Sequence, residues 1–181
     1  MAFNVNEFRS QMVGDGARPN LFEVSMPFPN FANPGNAQQK LTFMCKTAQL
    51  PGSTVNTVPV QYFGRELKFA GNRTFQDWTI SVINDEDFTV RNAFERWMNG
   101  MNSHNLNIRN PAAASPAGYT ADATVTQYGK NGNTLKQYKF IGVFPTDLSP
   151  IDVDWGSNDT IEEFTVTLSY QWWESPQDGV Q

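Results

Sequence analysis

Between residues 160 and 173 the chain alternates without a break. Phe164, Val166, Leu168, Tyr170 and Trp172 fall on one side of an extended chain, and Glu163, Thr165, Thr167, Ser169 and Gln171 fall on the other. Side chains of a strand point alternately to opposite faces, so this pattern specifies a half-buried strand and is incompatible with a helix. The polar side is longer than a small domain normally leaves as free surface.

Shorter copies of the pattern recur. In 21–26, Phe22, Val24 and Met26 share a face. In 41–46, Leu41, Phe43 and Cys45 alternate with Thr42, Met44 and Lys46. Leu67 and Phe69 alternate with Glu66 and Lys68. In 74–83, Trp78, Ile80 and Val82 oppose Asp77, Thr79 and Ser81. Segments 121–128 and 134–144 flank Gly129-Lys130-Asn131-Gly132, where Asn-Gly is a strong hairpin signal, and Phe144-Pro145-Thr146-Asp147 is read as a turn.

One helix is expected over 85–101, with Val90, Phe94, Trp97 and Met101 as its apolar stripe. Asn84 or Asp85 is its expected cap, and Asp85, Glu86 and Asp87 suit the positive end of its dipole. Pro, Asn and Gly mark loops over 27–39 and 99–120, and the polar tail 175–181 is expected to fray. The fold class is therefore mainly β: an antiparallel sandwich or barrel with one α-helix packed on it, in a single domain over 1–174.

Composition narrows the function. The 181 residues include one Cys and one His, and the formal net charge is −5. A lone Cys45 forbids an internal disulfide and any cysteine-based zinc cluster. Its place in an alternating run suits a small buried side chain better than a reactive thiol. No apolar run is long enough to span a membrane, and the first eighteen residues lack a signal-peptide core, so a cytoplasmic site of synthesis is expected. The acidic balance argues against gripping nucleic acid by its phosphates. Charged residues reach only 17%, against about 25% in ordinary domains. The surface is thus carried by Asn, Gln, Thr and Ser and repels copies of itself weakly.

Candidate chemistry is sparse. His104 sits in a polar stretch with no base or nucleophile beside it, and no nucleophile elbow exists. Gly14-Asp15-Gly16 fails as a dinucleotide loop because no strand precedes it. Asp152, Asp154 and Glu163 faintly outline a calcium loop, but the glycine falls one place early. Asn72-Arg73-Thr74 and Asn158-Asp159-Thr160 have the spacing of glycosylation acceptors without a secretory signal. No catalytic residue, metal ligand or cofactor site is expected, and the chain reads as a non-enzyme.

Two features point instead to self-association. Trp172 and Trp173 must face opposite sides of a strand, leaving one ring outside for a neighbouring subunit, a ligand or the chain's own N-terminal segment to cover. Segment 49–63 is a long, uncharged extension in which Pro51 and Pro59 limit pairing and Val55, Val58, Val60, Tyr62 and Phe63 give hairpin character. On a free monomer such an extension is an aggregation hazard; docking on another subunit removes the hazard.

Taken in order, these segments resemble the tail tube proteins of large contractile-tailed bacteriophages. The resemblance is carried by Ala17-Arg18-Pro19-Asn20-Leu21-Phe22, Cys45-Lys46 with Leu50-Pro51, and Ala70-Gly71-Asn72-Arg73-Thr74-Phe75-Gln76-Asp77-Trp78. It continues through Asn84-Asp85-Glu86, Phe144-Pro145-Thr146, Asp154-Trp155 with Ser157-Asn158, and Glu163-Phe164-Thr165-Val166-Thr167-Leu168. Residues 27–39, 110–118 and those after Glu174 depart from it.

The resemblance implies a subunit whose strands complete a larger barrel in a hexameric ring. Rings would stack into a rigid tube inside a contractile sheath, bounded by a baseplate or tube initiator and a tail terminator. Double-stranded DNA would pass down the lumen without specific binding. The expected location is the virion tail, after assembly in the host cytoplasm. Asp77, Thr79, Ser81, Glu163, Thr165, Thr167, Ser169 and Gln171 are the candidate lumen-facing residues. Leu50, Pro51, Val55, Val58, Val60, Tyr62, Phe63, Asp85, Glu86 and Asp87 are the candidate inter-ring contacts. A tube subunit of a type VI secretion or contractile bacteriocin system is an alternative within the same class. A stand-alone β-sandwich binding module using Trp173 or the 49–63 extension is the alternative outside it.

Overall fold

The computed structural model describes residues 4–33 and 35–176. A short helix α1 (Val5–Gln11) leads through a single 3-10 turn (Val13–Asp15) to strand β1 (Phe22–Ser25). There follow α2 (Ala37–Met44), β2 (Cys45–Ala48), β3 (Thr54–Tyr62), β4 (Arg65–Thr74), β5 (Trp78–Ile83) and α3 (Thr89–Met101). After a 3-10 turn (Pro111–Ala113) come α4 (Pro116–Tyr119), β6 (Ala121–Tyr128), β7 (Thr134–Leu148), β8 (Glu163–Ser169) and β9 (Trp172–Glu174).

One antiparallel sheet runs β1-β6-β7-β8-β5-β2, with β9 also paired to β7, and β3 and β4 form a separate two-stranded ribbon. The sheet buries one face. Val24, Ala123, Val125, Phe140, Trp78, Ile80, Val82, Phe164, Val166 and Leu168 are all at most 2% exposed. Helix α3 covers them with Val90, Ala93, Phe94 and Trp97, which recur at helical spacing. Removing such side chains from water contributes about 1.5–3 kcal/mol each. Trp78 stacks on Phe140 with ring centroids 4.3 Å apart. Buried indole N–H groups find acceptors: Trp78 Nε1 donates to Gln49 O (3.0 Å) and Trp97 Nε1 to Tyr119 O (2.6 Å).

Strand β7 is the spine. Its first half pairs with β6 and β9, and its second half pairs with β8. The change of partner occurs around Gly142, whose φ of 67° lies where L side chains are disfavoured. A Cβ there would also meet the Gln171 side chain at 3.0 Å. The expected turn at 144–147 is therefore absent. The strand continues through a buried Pro145, which is tolerated because the ladder shifts register between Pro145 and Asp147.

Other expectations are revised for similar tertiary reasons. Residues 41–44 are helical rather than extended, because Ala37 and Leu41, one helical turn apart, are both fully buried. That helix begins inside the predicted 27–39 loop, which itself plugs the core: Phe28 packs edge-on against Phe94 (5.1 Å) and Trp97 (5.8 Å). The 99–120 segment likewise contains α4 and a buried Ala113. Helix α3 starts at Thr89, not Asp85, because Phe88 adopts a left-handed conformation (φ 52°) that breaks the helix there. Asn84 does not cap it; its backbone and side chain both bind Glu162.

The strand expected over 74–83 is split, with Thr74 ending β4 and Trp78 opening β5. The long strand 160–173 is also split. After Ser169 the chain bends, Gln171 N donates to Ile141 O, and β9 pairs with β7. The bend reverses the tryptophans. Trp172 is exposed, while Trp173 packs on the core against Tyr138 (5.5 Å) and donates to Gly52 O. Of the tail 175–181, Ser175 is buried and donates to Gln137 O (3.3 Å); residues 177–181 lie outside the described residues.

Two outcomes follow from this packing. Gly142→Val should lower stability by about 1–3 kcal/mol through forced left-handed backbone, read as a lower urea midpoint; an unchanged midpoint would show that the kink is dispensable. Burial pushes the Cys45 thiol up to about 12, so the neutral thiol is the native form throughout ordinary pH. At pH 8.5 iodoacetamide should label the folded chain at least about ten-fold more slowly than the urea-unfolded chain, whose thiol titrates near 8.5. Equal rates would mean that Cys45 is open to solvent.

Candidate functional site

The chemistry-bearing residues do not converge. His104 lies exposed on the loop after α3, its backbone N–H held by Asn99 Oδ1 (3.1 Å). Among the described residues no cluster of three His, Cys, Asp or Glu could hold a metal ion. In the faint calcium loop, Asp154 Oδ1 is occupied by the Gly156 N–H (3.0 Å). Among the described residues no helix is long and apolar enough to cross a membrane.

What the fold does build is two surfaces. The first is the open face of the sheet. Thr79 lies opposite Thr167, Ser81 opposite Thr165, and Ile83 opposite Glu163, so the polar positions of β5 and β8 form one contiguous field. Asp77 and Gln171 lie just beyond the ends of those strands. Register adds three residues that the sequence reading missed. Thr47 of β2 lies opposite Ser81, Asp147 of β7 opposite Thr167, and Ser149 Oγ accepts the Thr165 N–H (2.8 Å). Thr47 was passed over because it lies just past the segment 41–46 read as strand, and Asp147 because it lies inside the supposed turn at 144–147. Lys46, beside this field, is paired with Glu163 at 2.5 Å. Further along the same sheet, Lys139 is paired with Asp122 (3.0 Å) and Tyr128 donates to Glu23 Oε2 (2.7 Å). That hydrogen bond to Glu23 holds the Tyr128 phenol above its ordinary range.

The second surface is the β3–β4 ribbon. Val58 lies opposite Phe69, Val60 opposite Leu67, Tyr62 opposite Arg65 and Val55 opposite Arg73. The connecting Phe63 and Gly64 both have positive φ (43° and 80°), as a two-residue hairpin requires. Every residue of β3 is exposed, and Phe63 at the tip is 92% exposed with its ring against Tyr62. Segment 49–63 is thus mostly strand, while Leu50 and Pro51 precede it near Trp78. A lone two-stranded ribbon is marginal in water, so this one carries its apolar side chains without support from the body of the subunit.

Asp85, Glu86 and Asp87 form the turn before α3. Lys40 Nζ donates to Asp85 Oδ2 (2.7 Å) and also to Asp87, tying α2 to that turn, and Asp87 Oδ1 accepts the Thr89 N–H (3.0 Å). Hydrogen bonding with Asp85, then with Lys40 and Thr89, holds the Asp87 carboxyl well below the usual range, and the same aspartates hold Lys40 above its own. Asp85 and Asp87 are thus committed within the subunit, and Glu86 is left exposed.

Comparison with known proteins matches this picture. A sequence model described as phage tail tube protein matches residues 17–175. The tail tube protein gp19 of Enterobacteria phage T4 is 36% identical over 162 residues, covering 89% of this chain and 93% of that protein. The tail tube protein of Serratia phage KSP90 is 29% identical over 168 residues, covering 92% and 93%. Among solved structures, a chain of the anti-feeding prophage baseplate superposes with a TM-score of 0.64 at 17% identity, over 88% of this chain and 95% of that one. A chain of an extracellular contractile injection system's sheath/tube terminator gives 0.62 at 19% identity, over 91% and 99%. These two share the mainly β fold. The extent of the family match and the identity to the T4 protein go further: this chain belongs to the phage tail tube protein family, as a structural subunit of a tube and not an enzyme.

Proposed function

We propose that copies of this chain, each a single domain, close into hexameric rings that stack as a hollow tube. The tube lies inside a contractile sheath, between a baseplate or initiator and a terminator. On this reading the subunits assemble in the host cytoplasm, and the finished tube serves as the conduit for double-stranded DNA in the virion tail. The observation that carries the reading is the pairing of two unfinished surfaces on one small subunit: a hydroxyl-rich sheet face and an unsupported apolar ribbon.

A conduit for DNA must not hold phosphates. Lysine and arginine clusters would do so through counterion release. The face bearing Thr79, Ser81, Thr165, Thr167 and Ser169, with Asp77, Gln171, Thr47 and Asp147 at its margins, presents hydroxyls, an amide and carboxylates. Its neighbouring cation, Lys46, is neutralised by Glu163. We assign this face to the lumen. Leu50, Pro51 and the ribbon residues Val55, Val58, Val60, Tyr62 and Phe63 are assigned to contacts between rings. Of the acidic turn, Glu86 is the member available for that role, since Lys40 engages Asp85 and Asp87.

The lumen assignment is tested with particles carrying Thr165→Arg and Thr167→Arg. Tubes should still form, and genome release should slow by roughly three- to ten-fold as arginines attract phosphate. Unaltered ejection kinetics, or an assembled-tube structure with these residues outward, would refute it. The ribbon assignment is tested by deleting Ser53, Thr54, Val55 and Asn56. The expected product keeps its circular dichroism spectrum and sediments as a small species that forms no tubes in electron micrographs. Normal tubes from that deletion would end the proposal.

A further inference from the structure

Strand β7 carries unlike patches at its two ends. Before its first residue stand the β6–β7 turn and, beside it, the chain leading into β1. Across 9–18 and 129–136 the basic residues are Arg9, Arg18, Lys130 and Lys136, against one acidic residue, Asp15. Met12, Val13, Arg18, Lys130 and Leu135 line a groove of about 500 Å³ between the two stretches. All five are exposed, Val13 at 91%. The groove has a fixed wall, because Gln127 Nε2 donates to Arg18 O (3.3 Å) and the Tyr128 N–H to Leu21 O (2.8 Å). Neither the Arg18 guanidinium nor the Lys130 ammonium has a hydrogen bond or ion pair among the described side chains.

After the last residue of β7 comes the opposite chemistry. Residues 150–163 hold Asp152, Asp154, Asp159, Glu162 and Glu163 and no basic residue. Glu163 and Glu162 are engaged with Lys46 and Asn84, and Asp154 with the Gly156 N–H. Asp152 and Asp159 have no hydrogen bond or ion pair among the described side chains. Val153, Trp155 and Ile161 stand out into solvent among these carboxylates, and Trp155 is wholly exposed. An exposed indole flanked by carboxylates is matched by an apolar surface that also carries cations, through burial and through attraction of cations to the ring face. The groove at the other end of β7 has that composition. Fifteen residues of strand separate the two patches. Even with the bend at Gly142 they lie roughly 30 Å apart, so they cannot meet within one chain.

We propose that the acidic 150–163 segment of one copy of this chain docks in the basic groove between 12–18 and 129–135 of the next. Trp155 enters the groove against Met12, Val13 and Leu135, and Asp152 and Asp159 meet Arg18 and Lys130. Charge complementarity selects a second copy as the occupant: each patch supplies the charges and the apolar groups that the other lacks a partner for. The proposal rests on the tube-assembly reading and adds to it a contact separate from the ribbon. The contact is heterologous. Every bound copy still offers a free groove at one end and a free segment at the other. Such a contact closes a ring when the rotation between copies closes, and continues as a stack when it does not.

Charge reversal tests the pairing. Arg18→Glu with Lys130→Glu, and separately Asp152→Lys with Asp159→Lys, should each leave a folded subunit by circular dichroism. Each pair should cut sedimentable tube by at least about ten-fold. Combining all four substitutions should restore tube to within about three-fold of the parent. Single pairs that assemble normally would overturn the proposal, as would two blocked pairs without rescue in combination. Trp155→Ala removes a ring that is wholly exposed in the free subunit, so it should fold normally and cut tube by at least about ten-fold; full assembly would overturn the proposal. Proximity is read without charge by mixing two variants, Leu135→Cys and Val153→Cys. Bismaleimide should link chains in the mixed tubes and not in tubes of either variant alone, with Cys45 unlabelled in all. Linkage of Val153→Cys chains to Leu67→Cys chains instead would give the acidic segment to the ribbon and refute the pairing. A parent chain that forms no tube even with an initiator would sink the assembly reading beneath it.

Discussion

The ladder along β7 is the interaction on which the rest depends. A single strand of fifteen residues serves β6, β9 and β8 in turn, and it can do so only because the backbone kinks at Gly142 and slips register at Pro145. The kink lets one sheet bend around α3 and Phe28, so that one face is buried while Thr79, Ser81, Thr165 and Thr167 share the other. A straight β7 could not remain paired with both β6 and β8 around the same core. The separation of an inner apolar face from an outer hydroxyl face follows from strand alternation once that curvature is set.

Much of this was legible in the chain. Strict alternation at 164–168 and 78–82 identified β8 and β5, and their polar partners Thr165, Thr167, Thr79 and Ser81 fell on one face as the period demands. Tyr128-Gly129 and Thr134 marked the limits of the β6–β7 hairpin because Gly132 supplies the positive φ its turn needs. What failed did so where tertiary contacts overrode local pattern. Leu41-Thr42-Phe43 alternates like a strand, yet burial of Ala37 and Leu41 against the core and the reach of Lys40 to Asp85 and Asp87 favour a helix. Phe144-Pro145-Thr146-Asp147 has turn composition, but a register shift absorbs the proline. Trp172 and Trp173 exchange faces because the chain bends at Gln171, which no periodicity records.

The surfaces were legible in a different sense. The apolar, uncharged character of 49–63 pointed to a docked extension and left a surface loop as the alternative. It did not show β4 as its partner over the whole length, because Arg65, Lys68 and Arg73 disguised Leu67 and Phe69 as an ordinary exposed strand. Pairing sorts those charges: Arg65 falls on the apolar face with Leu67 and Phe69, and Lys68 and Arg73 fall on the other. The functional polarity of the ribbon is thus a property of register, and register is set by the Phe63-Gly64 turn.

The same logic explains how a subunit with exposed apolar side chains avoids disordered aggregation. The sheet ends in β1 and β2, each of four residues, too short to template extended pairing with a second copy alone. The ribbon, which is long enough, is a two-stranded unit with Arg65 at the tip of its apolar face and Lys68 and Arg73 on the other. Random collapse of ribbon upon ribbon would bring like charges together, at a cost of several kcal/mol.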